Sequence, residues 1–175
     1  RTLEKRNQTA EIEALRAISN MVDIAYIRQK EALGLGHAIL QARHLVGDEA
    51  FGVFLGDDII ASEVPCMAQL ADAFTRHASP VLAVQEVPES ELSKYGVVGA
   101  QHLEDNLYRV TALAEKPALG TAPGKHAIIG RYVLTPDIFP ILEHTLPDAK
   151  GEIQLTAALQ ELHKARQIVA CAFEG

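Results

Sequence analysis

Tryptophan is absent from this chain of 175 residues, and cysteine occurs only as Cys66 and Cys171. Two cysteines are too few for a disulfide framework, and they are not spaced as metal ligands. A reducing, cytoplasmic setting is the natural expectation. No two histidines stand four residues apart, which argues against a helical zinc pair. No run of about 18 apolar residues occurs and the first residues are charged, so neither a membrane span nor a signal peptide is expected. Clustered lysine and arginine are missing as well. The 16 basic residues face 23 acidic ones, a net charge of −7, which disfavours a nucleic-acid groove but leaves local nucleotide binding open. What the chain does have is apolar mass, at 48% of its residues. That is enough for one folded domain with a sizeable core.

Read in order, Ile12, Leu15 and Ile18 recur at helical spacing within residues 1–20 and predict an amphipathic helix packing one face down. Residues 21–27, rich in β-branched side chains, predict a strand. A polar loop then leads to Gly34-Leu-Gly-His-Ala38. From Leu35 to Val46 the apolar residues lie on one helical face, so Gly34 and Gly36 open a helix whose first N–H groups are unpaired. Phe51 to Leu55 reads as a strand, Pro65 starts a second helix, and residues 80–85 form a buried strand. Three extended stretches follow without helices between them, near residues 95–98, 107–114 and 126–134. They predict antiparallel additions to a parallel sheet. Helices over 136–142 and 153–166 and a last strand over 168–173 complete the pattern. The expected fold is a single α/β domain spanning residues 1–175, with a mixed, mostly parallel sheet.

Chemistry concentrates at a few points. Asp57 and Asp58 follow an apolar run of strand character, at the end where open α/β sheets bind ligands. The pair is equally compatible with a turn cap. Gly34 and Gly36 invite comparison with a dinucleotide fingerprint, and Asp57 lies about 20 residues further on. Ile39 occupies the third glycine position, however, and a polar loop separates the glycines from the preceding strand. Glu115-Lys116-Pro117 ends another strand. Proline predicts an extended Lys116, with the two charged side chains on opposite faces. Gly96 and Gly130 fall at the start and middle of strands, where glycine marks a bulge or a close approach.

The order and spacing of these motifs resemble the bacterial UTP–glucose-1-phosphate uridylyltransferases of the sugar nucleotidylyltransferase superfamily. The series is Gln29 with Gly34-Leu-Gly-His-Ala38, Leu55-Gly-Asp-Asp58, Tyr95-Gly-Val-Val98, Glu115-Lys-Pro117, Ala127-Ile-Ile-Gly-Arg-Tyr132 and Gly151-Glu-Ile-Gln-Leu-Thr156. The resemblance implies a Rossmann-like nucleotidyltransferase core that transfers a uridylyl group from UTP to glucose 1-phosphate. It implies that Gln29 and Gly34 read uracil, that Gly36 opens the helix beneath the nucleotide, and that Asp57 is a catalytic ligand of Mg²⁺. It further implies that Asp58, Gly96, Glu115 and Gly130 meet the sugar, and that Lys116 is the catalytic cation on the sugar phosphate. A homo-oligomer is implied for the full-length protein, with no membrane or nucleic-acid partner.

Departures from the family pattern accompany the match. The Gly-rich triphosphate loop and the C-terminal segment have no counterpart in these residues. Ala157 replaces a usual aspartate, and Leu55-Gly56 a commoner Leu-Pro. These departures lead us to expect the central part of a longer enzyme, inactive by itself. Two other readings stay open: a nucleotidylyltransferase of different nucleotide or sugar specificity, and a nucleotide-sugar-binding module without catalysis.

Overall fold

The run Val81-Leu-Ala-Val84 is fully buried on both sides, which is what a strand sandwiched between two apolar layers requires. In the computed structural model, which describes residues 9–175, this run lies within strand β2 (Val81–Glu86). Leu82 and Val84 face one core with Val110, Ile128, Phe139 and Leu159. Val81 and Ala83 face the other, with Leu70, Val133 and Cys171. The first core is covered by helices α5 (Ile138–His144) and α6 (Leu155–Ala165). The second is covered by α4 (Cys66–His77), whose Cys66, Leu70 and Ala73 point inward at helical spacing.

The remaining strands are β1 (Phe51–Phe54), β3 (Gly96–Glu104), β4 (Leu107–Glu115), β5 (His126–Leu134) and β6 (Val169–Ala172). Their order in the six-stranded sheet is β1-β5-β2-β6-β4-β3, and β3 also pairs with β5. That last pairing joins Val97 to Ala127 and Val98 to His126. It closes five of the strands into a small barrel, with β1 attached outside the ring.

The sheet is mixed, as expected, but not mostly parallel. Of the pairings formed, only β2–β6 is parallel. The reason is the placement of β5. It inserts between β1 and β2 and runs antiparallel to both, so β1 and β2, which point the same way, are kept from pairing with each other.

Two further expectations fail. Residues 21–27 form no strand, and Met21, Val22, Ile24 and Tyr26 are exposed. β-branched residues favour strands through packing on a pleated surface, and no neighbouring strand offers one here among the described residues. Helix α1 (Thr9–Ser19) does form, but it buries none of its residues, and Leu15 and Ile18 remain exposed. The helix expected from Leu35 is divided into α2 (Leu35–Gln41) and α3 (Arg43–Val46) at Ala42. No helix among the described residues is long and apolar enough to cross a membrane.

Edge strand β1 is held to the helical layer by aromatic packing. Phe51 stacks on Phe139 at 5.2 Å between ring centroids, and Phe139 is 1% exposed. Truncation to Phe139→Ala should remove both the buried volume and the stack. We expect a loss of about 3–5 kcal/mol, measured as a lower urea midpoint with an unchanged slope.

Candidate functional site

The turn after β1 is fixed by its neighbour β5. Leu55 N–H donates to the Gly130 carbonyl at 2.9 Å, and Gly130 N–H donates back to Asp58 Oδ2 at 3.0 Å. Arg131 adds three bonds from its guanidinium, to the carbonyls of Leu55 (3.0 Å), Gly130 (2.8 Å) and Asp58 (2.5 Å). The same guanidinium lies 5.1 Å above the centre of the Phe54 ring. A charged donor on three carbonyls is a strong clamp. A Cβ on residue 130 would land on Asp58 Oδ2, so only glycine lets the carboxylate reach the strand.

These bonds separate the two acids. Asp58 is half-buried and spends its carboxylate on the backbone of β5. Asp57 is exposed, and its carboxylate has no partner among the described residues. The choice between turn cap and ligand site is therefore divided between adjacent residues.

At the end of β4, the register places Glu115 opposite Gly96. Glu115 Oε2 accepts a hydrogen bond from the Thr156 hydroxyl at 2.8 Å, and Glu115 Oε1 lies 3.5 Å from Lys116 Nζ. Lys116 is not extended. Its φ is +43°, a left-handed conformation that is uncommon for a residue with a side chain. Its N–H donates to the Tyr95 carbonyl at 2.9 Å. That bond carries the β3–β4 pairing one residue past the strand and turns the chain, so both charged side chains enter the same cleft. Proline's local steric preference loses to this tertiary hydrogen bond.

The glycine pair is likewise placed by a distant segment. Ile153 N–H donates to the Leu33 carbonyl at 2.8 Å, and Gly36 N–H donates to the Ile153 carbonyl at 2.9 Å. Gly36 is buried, and its N–H is paired with protein, contrary to the expectation of a free helix terminus. Gly34 adopts φ +90° with Glu152 and Ile153 directly beside it, a conformation open to glycine. Gln29 Nε2 donates to the Gly34 carbonyl at 3.2 Å and lies 2.9 Å from His37 Nδ1. Gln29 and Gly34 are thus in direct contact.

Asp57, Asp58, Gly96, Glu115, Lys116 and Gly130 all line one cleft of about 400 Å³. Gln29, Gly34 and Gly36 do not line it, although Leu35 does. A larger cavity of about 680 Å³ lies near Glu86–Leu92 and Gly120–Lys125 and contains none of the motif residues. Sequence reasoning missed Arg131, Tyr132 and Thr156 as site residues. The first two lie inside the quoted Gly130-Arg-Tyr132 motif. Thr156 was legible only as part of a helix start, because its partner Glu115 is far away in sequence.

An α/β fold with a mixed sheet, whose acids and cation share a cleft at its strand ends, is one that can hold a phosphorylated ligand. The chain matches the nucleotidyl transferase family over residues 2–175, and it belongs to that family. It is 47% identical over 175 residues to the UTP–glucose-1-phosphate uridylyltransferase of Bacillus subtilis (strain 168), covering 100% of this chain and 60% of that protein. The chain spans about 60% of the length of the curated relatives it matches. Among solved structures, a UDP-glucose pyrophosphorylase complexed with UDP-glucose is 40% identical with a TM-score of 0.90, covering 97% of this chain and 65% of that one. A UTP-bound enzyme of the same type from Acinetobacter baumannii is 28% identical with a TM-score of 0.84, covering 97% and 60%.

The clamp on the β1 turn yields a direct test. Gly130→Ala should expel the Asp58 carboxylate from its N–H partner and destabilise the protein by about 1–3 kcal/mol. Chemical denaturation of the variant beside Asp58→Asn checks this, since the same bond is weakened from the other side.

Proposed function

We propose that the whole protein to which this chain belongs transfers a uridylyl group from UTP to glucose 1-phosphate, releasing pyrophosphate, on a Rossmann-like core. The observation that carries the reading is the unpartnered carboxylate of Asp57 sharing a cleft with the Glu115–Lys116 pair. The names of the relatives and the ligands of the two solved neighbours support it.

The residues have distinct tasks. Lys116 neutralises the phosphate of the sugar phosphate as a compact point charge. Glu115, oriented by Thr156, accepts hydrogen bonds from sugar hydroxyls, with Gly96 leaving room beside it. Asp58 acts through the backbone: by holding Gly130 it sets where Asp57 projects. Gln29 spends its amide N–H groups on Gly34 and His37. Its amide oxygen is left to accept from the N3–H of uracil, a donor that cytosine lacks.

In-line attack by a phosphate oxygen of glucose 1-phosphate on the α-phosphorus of UTP needs positioning and charge neutralisation more than a protein base. Asp57 also fits the magnesium ion that this family implies. Mg²⁺ takes one or two carboxylates together with substrate phosphates and water, and Asp57 offers an exposed oxygen donor with no competing partner among the described residues. Bound there, the ion would supply neutralisation of phosphate charge.

Asp57→Asn in the full-length protein should lower turnover by about 10²–10³-fold, the scale of losing one preorganised electrostatic contact. Its thermal midpoint should stay close to the parent's, because the side chain is exposed and has no partner among the described residues. A coupled pyrophosphate-release assay reads the first and a thermal melt the second; near-parental turnover would remove Asp57 from the site. Lys116→Ala should raise the KM for glucose 1-phosphate about tenfold and that for UTP much less. Faster turnover with another nucleotide or sugar phosphate across a substrate panel would reassign the reaction.

A further inference from the structure

Alternation along β5 turns Ile128, Gly130 and Tyr132 toward the same cleft. Tyr132 is only 6% exposed, yet its hydroxyl makes no hydrogen bond among the described residues. It is not sealed off either. The one side-chain polar atom both shut away from solvent and unpartnered, among the described residues, is His163 Nδ1. The Tyr132 hydroxyl therefore opens into the cleft. A buried tyrosine ordinarily finds a partner for its hydroxyl, so a phenol presented to a cleft without one is a group held ready for a ligand.

Its surroundings limit which ligand atom that is. Burial, then the carboxylates of Glu115 and Asp58, push the phenol well above its usual range, so it stays protonated and acts as a donor. The same two carboxylates repel a phosphate from this part of the cleft, and Lys116 attracts one to its own side. A neutral hydroxyl suits the place, because it can give its proton to a carboxylate and accept one from the phenol.

We propose that Tyr132 is a specificity-determining residue whose hydroxyl donates to one sugar hydroxyl of the sugar phosphate, opposite the accepting carboxylate of Glu115. This assignment rests on the uridylyl-transfer reading above. Donor and acceptor together recognise a hydroxyl group as such, and a deoxy analogue leaves the phenol and the carboxylate unsatisfied. Sites built to hydrogen-bond a substrate hydroxyl discriminate strongly against its absence.

The test uses the full-length protein and its Tyr132→Phe variant with glucose 1-phosphate and its 2-, 3-, 4- and 6-deoxy analogues. Wild type should disfavour at least one analogue by about tenfold in kcat/KM, the scale of one hydrogen bond. Tyr132→Phe should lose about the same factor toward glucose 1-phosphate, chiefly in the KM of the sugar phosphate. Discrimination against that one analogue should fall sharply in the variant while the other analogues keep their parental ratios. Phenylalanine preserves the ring, and the lost hydroxyl has no partner among the described residues, so a parental thermal melt is expected. Parental kcat/KM ratios across the panel in the variant would overturn the proposal. Wild-type indifference to every deoxy analogue would overturn it without any variant. Should the protein turn over a different sugar phosphate, the uridylyl-transfer reading fails separately, and the deoxy series of that sugar tests Tyr132 in the same way.

Discussion

The hydrogen bond from Gly130 N–H to Asp58 Oδ2 and the three bonds from Arg131 fasten the turn after β1 to the middle of β5. The rest of the site is measured from this joint. Strand β5 also pairs with β1, β2 and β3, so any shift of its register would move the acidic turn, the cleft floor and the barrel closure together. A one-residue slip would turn Gly130 and Tyr132 away from the cleft. The apolar residues of β5 on both faces resist that slip, because Ile128 and Leu134 belong to one core and Val133 to the other. Packing energy on the two sides of the sheet thus fixes the position of the turn that carries Asp57.

Much of this architecture could be read from the residues. The doubly buried Val81-Leu-Ala-Val84 run, the helical spacing of Leu155, Leu159 and Leu162, and the helix after Pro65 all follow from periodicity, and each appears where expected. Local pattern was misleading where a partner decides the outcome. Residues 21–27 have strand composition but, among the described residues, no strand beside them. The sheet's antiparallel majority depends on where β5 inserts, and composition carries no trace of an insertion. At the site, Asp57, Glu115 and Lys116 stand out as charges at strand ends. The division of labour between Asp57 and Asp58 was not legible, because it depends on which carboxylate reaches a glycine N–H more than seventy residues away.

Lys116 shows the same principle in the backbone. Its neighbour Pro117 biases it toward an extended conformation, but the Tyr95 carbonyl takes its N–H and the residue settles at φ +43°. Left-handed conformations at non-glycine residues persist when the surroundings over-determine them, and they cluster at functional positions. Here the conformation brings an ammonium and a carboxylate to the same side of the chain, an arrangement that a regular strand would prevent.

The β2–β6 pairing bears on the order of assembly. Strand β6, the last of the six in the chain, occupies a slot between β2 and β4, and its backbone partners run from Val81 to Arg109. The ring therefore has a gap until residues 169–172 arrive. On a ribosome, the earlier strands would emerge with unpaired edges on either side of that gap, and closure would wait for the last strand. Contacts so distant in sequence make folding slow and leave strand edges exposed meanwhile. The ring that carries the strand-end cleft thus closes only after all six strands have been made, with β6 as its locking element.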